Sequence, residues 1–382
     1  MNGDFHEPDY KIAVIGAGKT GRGFIGRLLA EAGEKFLLID KNAALIKRLG
    51  DAGHFEVSFF GDVREPMTVG GFCAINTMDP AVGAALRNVS LVFVSVGGSN
   101  LAETARFLAG NMEGRLKDST ECTVVTCENA IKPAAAFKDA FLAELPEADR
   151  DHAARLFGFS EAAVFCTTIE REKDSLDIHS EDFPDLPCDA TAIKGNMPRI
   201  AGVKPVAGFE NLLMRKIYTY NAASGIISYL GWLKGYEAYA DAANDADILA
   251  ALDVFYTEIG KALCAEYGYD EADQREFAAR SLKKFTDRTI ADTIERNARE
   301  PRRKLDPSER IISPALLIEK YGGDNKILAE TAAAALLYDD GPEWAKLKEE
   351  LGAEGILREI SGLKPGSPLF TSIIKYSDML CK

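Results

Sequence analysis

KIAVIGAGKTGRGFIGRLLAEAGEKFLLID, residues 11–40, places a short apolar run at Lys11 to Ile15 directly before a glycine-rich turn. A second run, KFLLI at 35–39, ends on Asp40. This order predicts strand, turn, helix and strand. Gly16, Gly18 and Gly21 make Gly-x-Gly-x-x-Gly at the junction. The first glycine suits a tight turn, the second a close backbone approach to a pyrophosphate, and the third close helix packing. The N–H groups of the helix start would hold the pyrophosphate. Asp40 stands where a carboxylate accepts from adenosine ribose hydroxyls, and its charge would repel a 2'-phosphate, so the expected cofactor is NAD and not NADP. The plain alternative is a turn aspartate that caps the next helix, before Lys41 and Asn42.

Strand-like runs continue at LVFVSV (91–96), TVVT (123–126) and AVFCT (163–167), separated by helical stretches such as 101–110 and 134–145. Alternation of this kind predicts an α/β fold, a Rossmann-type doubly wound parallel sheet. Gly97 and Gly98 close the LVFVSV run, where a backbone without side chains could lie against the cofactor or simply begin a loop. HFEVSFF and FCAIN, between Gly53 and Asp79, read as a small antiparallel insertion. The proline-rich segment 182–205 reads as a connection. Beyond it strand signals nearly vanish, and 238–267, 271–285, 327–338, 344–351 and 355–360 fit amphipathic helices. Ala332 to Ala335 reads as a strong helix former. The expected organisation is a dinucleotide-binding domain over 1–200 and a mostly helical substrate domain over 201–382.

The chain of 382 residues carries a formal net charge of -14, which argues against nucleic acid or an anionic membrane as partner. A local cluster of Arg and Lys can still hold a small anion. No apolar run reaches transmembrane length, and the opening MNGDFHEPDY has no signal-peptide core, so a cytoplasmic location is expected. Seven cysteines without a Cys-x-x-Cys pair suit buried thiols in a reducing compartment. Four histidines, none paired on a helix face, leave no zinc signature, so no metal is expected. The oligomeric state stays open.

NLLMRKIYTYNAASGIISYLG, residues 211–231, reads as one buried helix that nevertheless carries Lys216 and Asn221. An ammonium in apolar surroundings is costly unless paired or neutral, and a half-buried Asn has several hydrogen-bonding positions to satisfy. At 100° per residue Lys216, Tyr220, Ser224 and Asn221 fall at about 0°, 40°, 80° and 140°, one polar arc. A snorkelling lysine at a domain edge is the bland alternative.

Four ordered blocks give the chain a resemblance to the polyol-specific long-chain dehydrogenases: GAGKTGRGFIGRLLAEAG at 16–33, TCEN at 126–129, RKIYTYN followed by SYLG within 215–231, and ERNAREPRRKLDPSERII at 295–312. The resemblance implies metal-independent hydride transfer between NAD and a secondary alcohol. The substrate it implies is a sugar-alcohol phosphate of the mannitol 1-phosphate to fructose 6-phosphate type. The family's catalytic lysine falls on Lys216, and the asparagines that polarise the reacting oxygen fall on Asn221 and Asn129. Arg302, Arg303 and Arg310 are the implied phosphate contacts, with Arg215 a weaker one; pairing with Glu295, Glu300 and Glu309 is the alternative. Ser224 stands where the family has a histidine. Ile169, Glu170 and Arg171 replace the usual Val, Asp and Arg. These departures keep two other readings open: a keto-hexuronate reductase and a catalytically weak NAD-binding protein.

Overall fold

The computed structural model describes residues 10–129 and 132–381; most of the polar N-terminal segment lies outside them. It divides into two units, Met1–Glu210 and Asn211–Lys382. The first is built on β1 (Ile12–Ile15), β2 (Phe36–Asp40), β3 (Phe55–Phe59), β4 (Met67–Val69), β5 (Phe72–Asn76), β6 (Leu91–Val94), β7 (Cys122–Thr126), β8 (Phe157–Glu161), β9 (Thr168–Glu170), β10 (Ile178–Ser180), β11 (Leu186–Asp189) and β12 (Val203–Val206). Six of these form one sheet in the order β5-β2-β1-β6-β7-β8, and every pair in it is parallel. This is the doubly wound dinucleotide-binding order, with a switch point between β1 and β6. Burial on both faces explains why IAVI and LVFV are wholly apolar.

Several expectations change. FCAIN is not part of an antiparallel insertion; it is β5, the parallel edge strand beside β2, with Phe36 opposite Phe72. Its residues are only half-buried, so its apolar pattern does not separate it from its neighbour. FEVSF does pair antiparallel with β4, but it also pairs parallel with β10 in a second sheet, β4-β3-β10-β9. AVFCT is not a strand: residues 163–167 pass from β8 toward β9 without a ladder, and burial alone accounts for their apolar character. The 182–205 segment is also more than a connection, since β11 and β12 pair within it and after it.

The second unit is helical. The expected helix over 238–267 is two, Tyr239–Ala243 and Ala246–Tyr267, because the Asp245 carboxylate accepts from the N–H groups of Asp247 and Ile248 and starts a new helix. Ala332 to Ala335 form no mere helix-promoting tract: all four are fully buried in one core with Ala222, Ile226, Leu252 and Phe255. Small side chains there allow close approach of the Lys326–Leu337 and Ala222–Leu233 helices.

Helix start and second sheet are pressed together at Gly23, where a Cβ would lie 2.2 Å from Ile178 Cγ2. Gly23→Ala is expected to cost about 1–3 kcal/mol of stability by overpacking, measured by denaturant unfolding. Adding Ile178→Ala should recover part of that loss; an undiminished stability in the single variant would refute the close packing.

Candidate active site

The glycine turn is built by contact. Gly16 has φ of +103° and donates its N–H to Ile39 O at 2.8 Å; a Cβ there would lie 2.0 Å from Ser95 O. A Cβ on Gly21 would lie 1.9 Å from Gly16 O, so the helix must rise close over the turn. Gly18 faces open space, with nothing within 4 Å of a Cβ position. One glycine is therefore required by the turn, one by helix packing, and the third leaves room for a ligand against the helix start, where N–H groups lack intrahelical partners.

Asp40 fastens that turn. Its Oδ2 accepts from Ala17 N at 2.7 Å and its Oδ1 from Asn42 N at 2.8 Å. The following helix, Ala43–Ala52, is capped by Asn42, whose Oδ1 accepts from Leu45 N, so capping is not the task of Asp40. Across the switch point, the N–H groups of Val96 and Gly97 both donate to Glu128 Oε1, at 2.6 and 2.8 Å. Gly98 opens the short turn that leads into the Leu101–Gly110 helix. Glu128 belongs to the CEN block but was not singled out by the sequence. Burial raises its pKa, and the two backbone N–H groups partly offset that. Asn129 follows it on the surface of β7's outgoing loop.

The lysine segment is helical throughout but not uniform. Phe209–Lys216 and Ala222–Leu233 are α-helical, and Ile217–Asn221 between them is a π turn, with the Ala222 N–H reaching Ile217 O. The widened turn revises the predicted arc, because residues five apart are one π turn apart, which carries Asn221 toward the face of Lys216. Tyr220 leaves the arc: it is buried, with its ring edge-on to Phe277. Gln274 holds the turn from outside, donating to Thr219 Oγ1 at 3.2 Å while accepting from Arg215 Nε at 2.7 Å. Arg215 also pairs with Asp273 and lies over Tyr269 and Phe277, which ties it to the Glu271–Thr286 helix.

Lys216 is 5% exposed, and its pKa is lowered to about 7. Burial is the main cause, the positive charges of Lys284 and Arg310 add to it, and Glu309 opposes it. Ser224 is half-buried, next to the buried phenol of Tyr239, and its carbonyl accepts from Ser228 Oγ at 2.6 Å.

The basic block does not act as one patch. Arg302 is exposed. Arg303 is held at both ends, by Glu309 at 2.7 Å and Glu300 at 2.9 Å. Lys304 is buried, donates to Asn297 O and sits over the Tyr229 ring, with its pKa down at about 6 through burial and the neighbouring Arg310 and Arg303. Arg310 also lies against the lysine helix: its Cδ is 3.9 Å from a Cβ position on Gly225, and its Nε donates to Glu309 at 3.0 Å. Among the described residues, no group of three or more His, Cys, Asp or Glu side chains could hold a metal ion.

A doubly wound sheet with this glycine turn, followed by a helical unit with a buried near-neutral lysine, defines a two-unit dehydrogenase architecture. The family model "Mannitol dehydrogenase Rossmann domain" matches residues 10–202 and "Mannitol dehydrogenase C-terminal domain" matches residues 209–348. The chain belongs to the mannitol dehydrogenase family. It is 32% identical over 363 residues to a mannitol-1-phosphate 5-dehydrogenase of Brevibacillus brevis, covering 93% of this chain and 94% of that one. To another of that name, from Paenarthrobacter aurescens, it is 32% identical over 379 residues, covering 96% and 97%. In fold it is similar to Pseudomonas fluorescens mannitol 2-dehydrogenase in a ternary complex with NAD and D-mannitol (TM-score 0.78, 16% identity, 98% and 92% covered). A substrate-free D-sorbitol dehydrogenase is likewise similar (TM-score 0.78, 15% identity, 97% and 93% covered).

A lysine whose folded pKa lies below its unfolded value of 10.5 costs stability; the cost is full below about pH 7 and fades as pH rises to 10.5. Lys216→Met is therefore expected to raise the melting temperature at pH 7 by several degrees, with a gain that shrinks toward pH 10. An equal or lower melting temperature at pH 7 would contradict the desolvated lysine.

Proposed function

We propose that this chain is an NAD-dependent, metal-independent oxidoreductase that interconverts mannitol 1-phosphate and fructose 6-phosphate in the cytoplasm. The observation that carries the reading is Lys216, buried one π turn from Asn221 with its pKa brought to about 7. The near full-length relatives named mannitol-1-phosphate 5-dehydrogenase support the substrate. The fit to the cofactor rests on the first unit: the open side of Gly18, the turn formed by Gly16 and Gly21, and the Asp40 carboxylate beside it. When bound, the nicotinamide supplies or accepts the hydride.

The protein's part is the proton and the charge. In oxidation the neutral Lys216 amine accepts the hydroxyl proton; in reduction its ammonium returns that proton to the forming alkoxide. The Asn221 carboxamide donates to the reacting oxygen as charge grows on it, and the family resemblance gives Asn129 the same role. Arg310 is anchored through Nε, and among the described residues no hydrogen bond reaches its two terminal nitrogens, which suits a phosphate. Arg303 then serves through Glu309, the carboxylate they share. Ser224 can donate one hydrogen bond where the family has a charged or neutral imidazole.

Because the base form is neutral lysine, mannitol 1-phosphate oxidation is expected to rise through about pH 7 to a plateau, while fructose 6-phosphate reduction falls over the same range. Lys216→Ala should lower kcat about 10²–10⁴-fold in both directions. Turnover of a keto-hexuronate with NADH, and none of fructose 6-phosphate, would replace the substrate. An unchanged rate in Lys216→Ala would end the mechanism. Ser224→His is expected to increase fructose 6-phosphate turnover; a decrease would show that the space beside Tyr239 is shaped for serine.

A further inference from the structure

The first unit makes the same fastening twice. In its first half β1 runs into a turn whose Gly16 has φ of +103°, and the neighbouring parallel strand β2 ends on a carboxylate that accepts from that turn, Asp40 Oδ2 from Ala17 N at 2.7 Å. In its second half β6 runs into a turn whose Gly97 has φ of +83°. The neighbouring parallel strand β7 is followed at once by a carboxylate that accepts from that turn, Glu128 Oε1 from Val96 N at 2.6 Å and Gly97 N at 2.8 Å. A fold of this kind consists of two mononucleotide-binding halves, and a dinucleotide lies across the carboxyl ends of the strands at the switch point between them. The repeat of turn and carboxylate thus follows the repeat of the ligand.

We infer that Glu128 is the ribose-binding carboxylate of the nicotinamide half, the counterpart of Asp40 in the adenosine half. The inference rests on the dinucleotide reading above. Glu128 Oε1 is occupied by the two backbone N–H groups, and among the described residues no hydrogen bond reaches Oε2. A carboxylate is acceptor only, and the vicinal hydroxyls of a ribose are two donors at the spacing it can take. Glu128 is half-buried, which leaves Oε2 within reach of a ligand hydroxyl. Anchoring through Oε1 also fixes where Oε2 points, so the ribose meets a preset acceptor. A residue needed only to hold the turn would not have to be charged: a glutamine oxygen could accept the same two N–H groups.

That difference supplies the test. Dissociation constants for NADH and for ADP, which carries the adenosine half alone, are measured by fluorescence and calorimetry for the wild-type chain, Glu128→Gln, Glu128→Ala and Asp40→Asn, together with melting temperatures. Glutamine keeps the acceptor for Val96 and Gly97 and turns an NH2 toward the ribose. Glu128→Gln is expected to weaken NADH about tenfold or more while ADP binding and the melting temperature stay within error. Asp40→Asn is expected to weaken both ligands. An unchanged NADH affinity in Glu128→Gln, or equal losses for NADH and ADP, overturns the assignment of Glu128 and leaves the dinucleotide reading standing. Rescue of Glu128→Ala by glutamine to the full wild-type affinity also overturns it, as that is the behaviour of a turn-holding residue. A wild-type chain that binds neither NADH nor ADP overturns both readings.

Discussion

Removing the Lys216 ammonium from water is the constraint around which the second unit is arranged. An isolated buried ammonium is unstable by several kcal/mol relative to water, and the ordinary escape is deprotonation. Here the surroundings press in that direction: Lys284 and Arg310 add positive charge, and Glu309, which would stabilise the ammonium, is already shared between Arg303 and Arg310. The result is a lysine near its neutral point at about pH 7. The same helix is held rigidly on its other side, where Arg215, Gln274 and Thr219 form one chain of hydrogen bonds. A near-neutral lysine is useful only if its position is fixed, and this chain of bonds runs through the π turn that separates it from Asn221.

The first unit solves a different problem with the same economy. The loops that leave the carboxyl ends of parallel strands carry backbone N–H groups outside the ladder, and those groups need acceptors. Asp40 and Glu128 each do so for the loop of the neighbouring strand. Both are carboxylates, so each loop is fastened by a group that only accepts. The glycines make this possible: Gly16 lies too close to Ser95 for any side chain.

Much of this was legible from the chain because it depends on local pattern. The turn from Gly16 to Gly21 follows from the need for a positive φ and for close packing, which few residues other than glycine meet, and the sequence shows glycine at each place. Lys216 stood out because an ammonium among Leu, Ile and Tyr has few stable explanations. Other features had no local signal. Arg302, Arg303 and Arg310 are equivalent as letters, but one lies in solvent, one is clasped by two glutamates and one packs on Gly225. FCAIN and AVFCT look alike in hydropathy, and only the first has a strand edge to pair with.

By itself the sequence determined the class of fold with its sheet part and its helical part, and it marked the groups proposed to carry the chemistry, because periodicity, glycine placement and a charge in apolar surroundings are properties of neighbouring residues. Only the tertiary structure decided what those groups are worth. The π turn at Ile217–Asn221 is supported by Gln274, 55 residues from Thr219. The pKa of Lys216 depends on charges that arrive from positions 284, 309 and 310. Glu128 acquires its place because β6 and β7 are neighbours and a loop 31 residues earlier needs an acceptor. Burial and electrostatics are set by what the chain brings together from afar, and no local pattern records that.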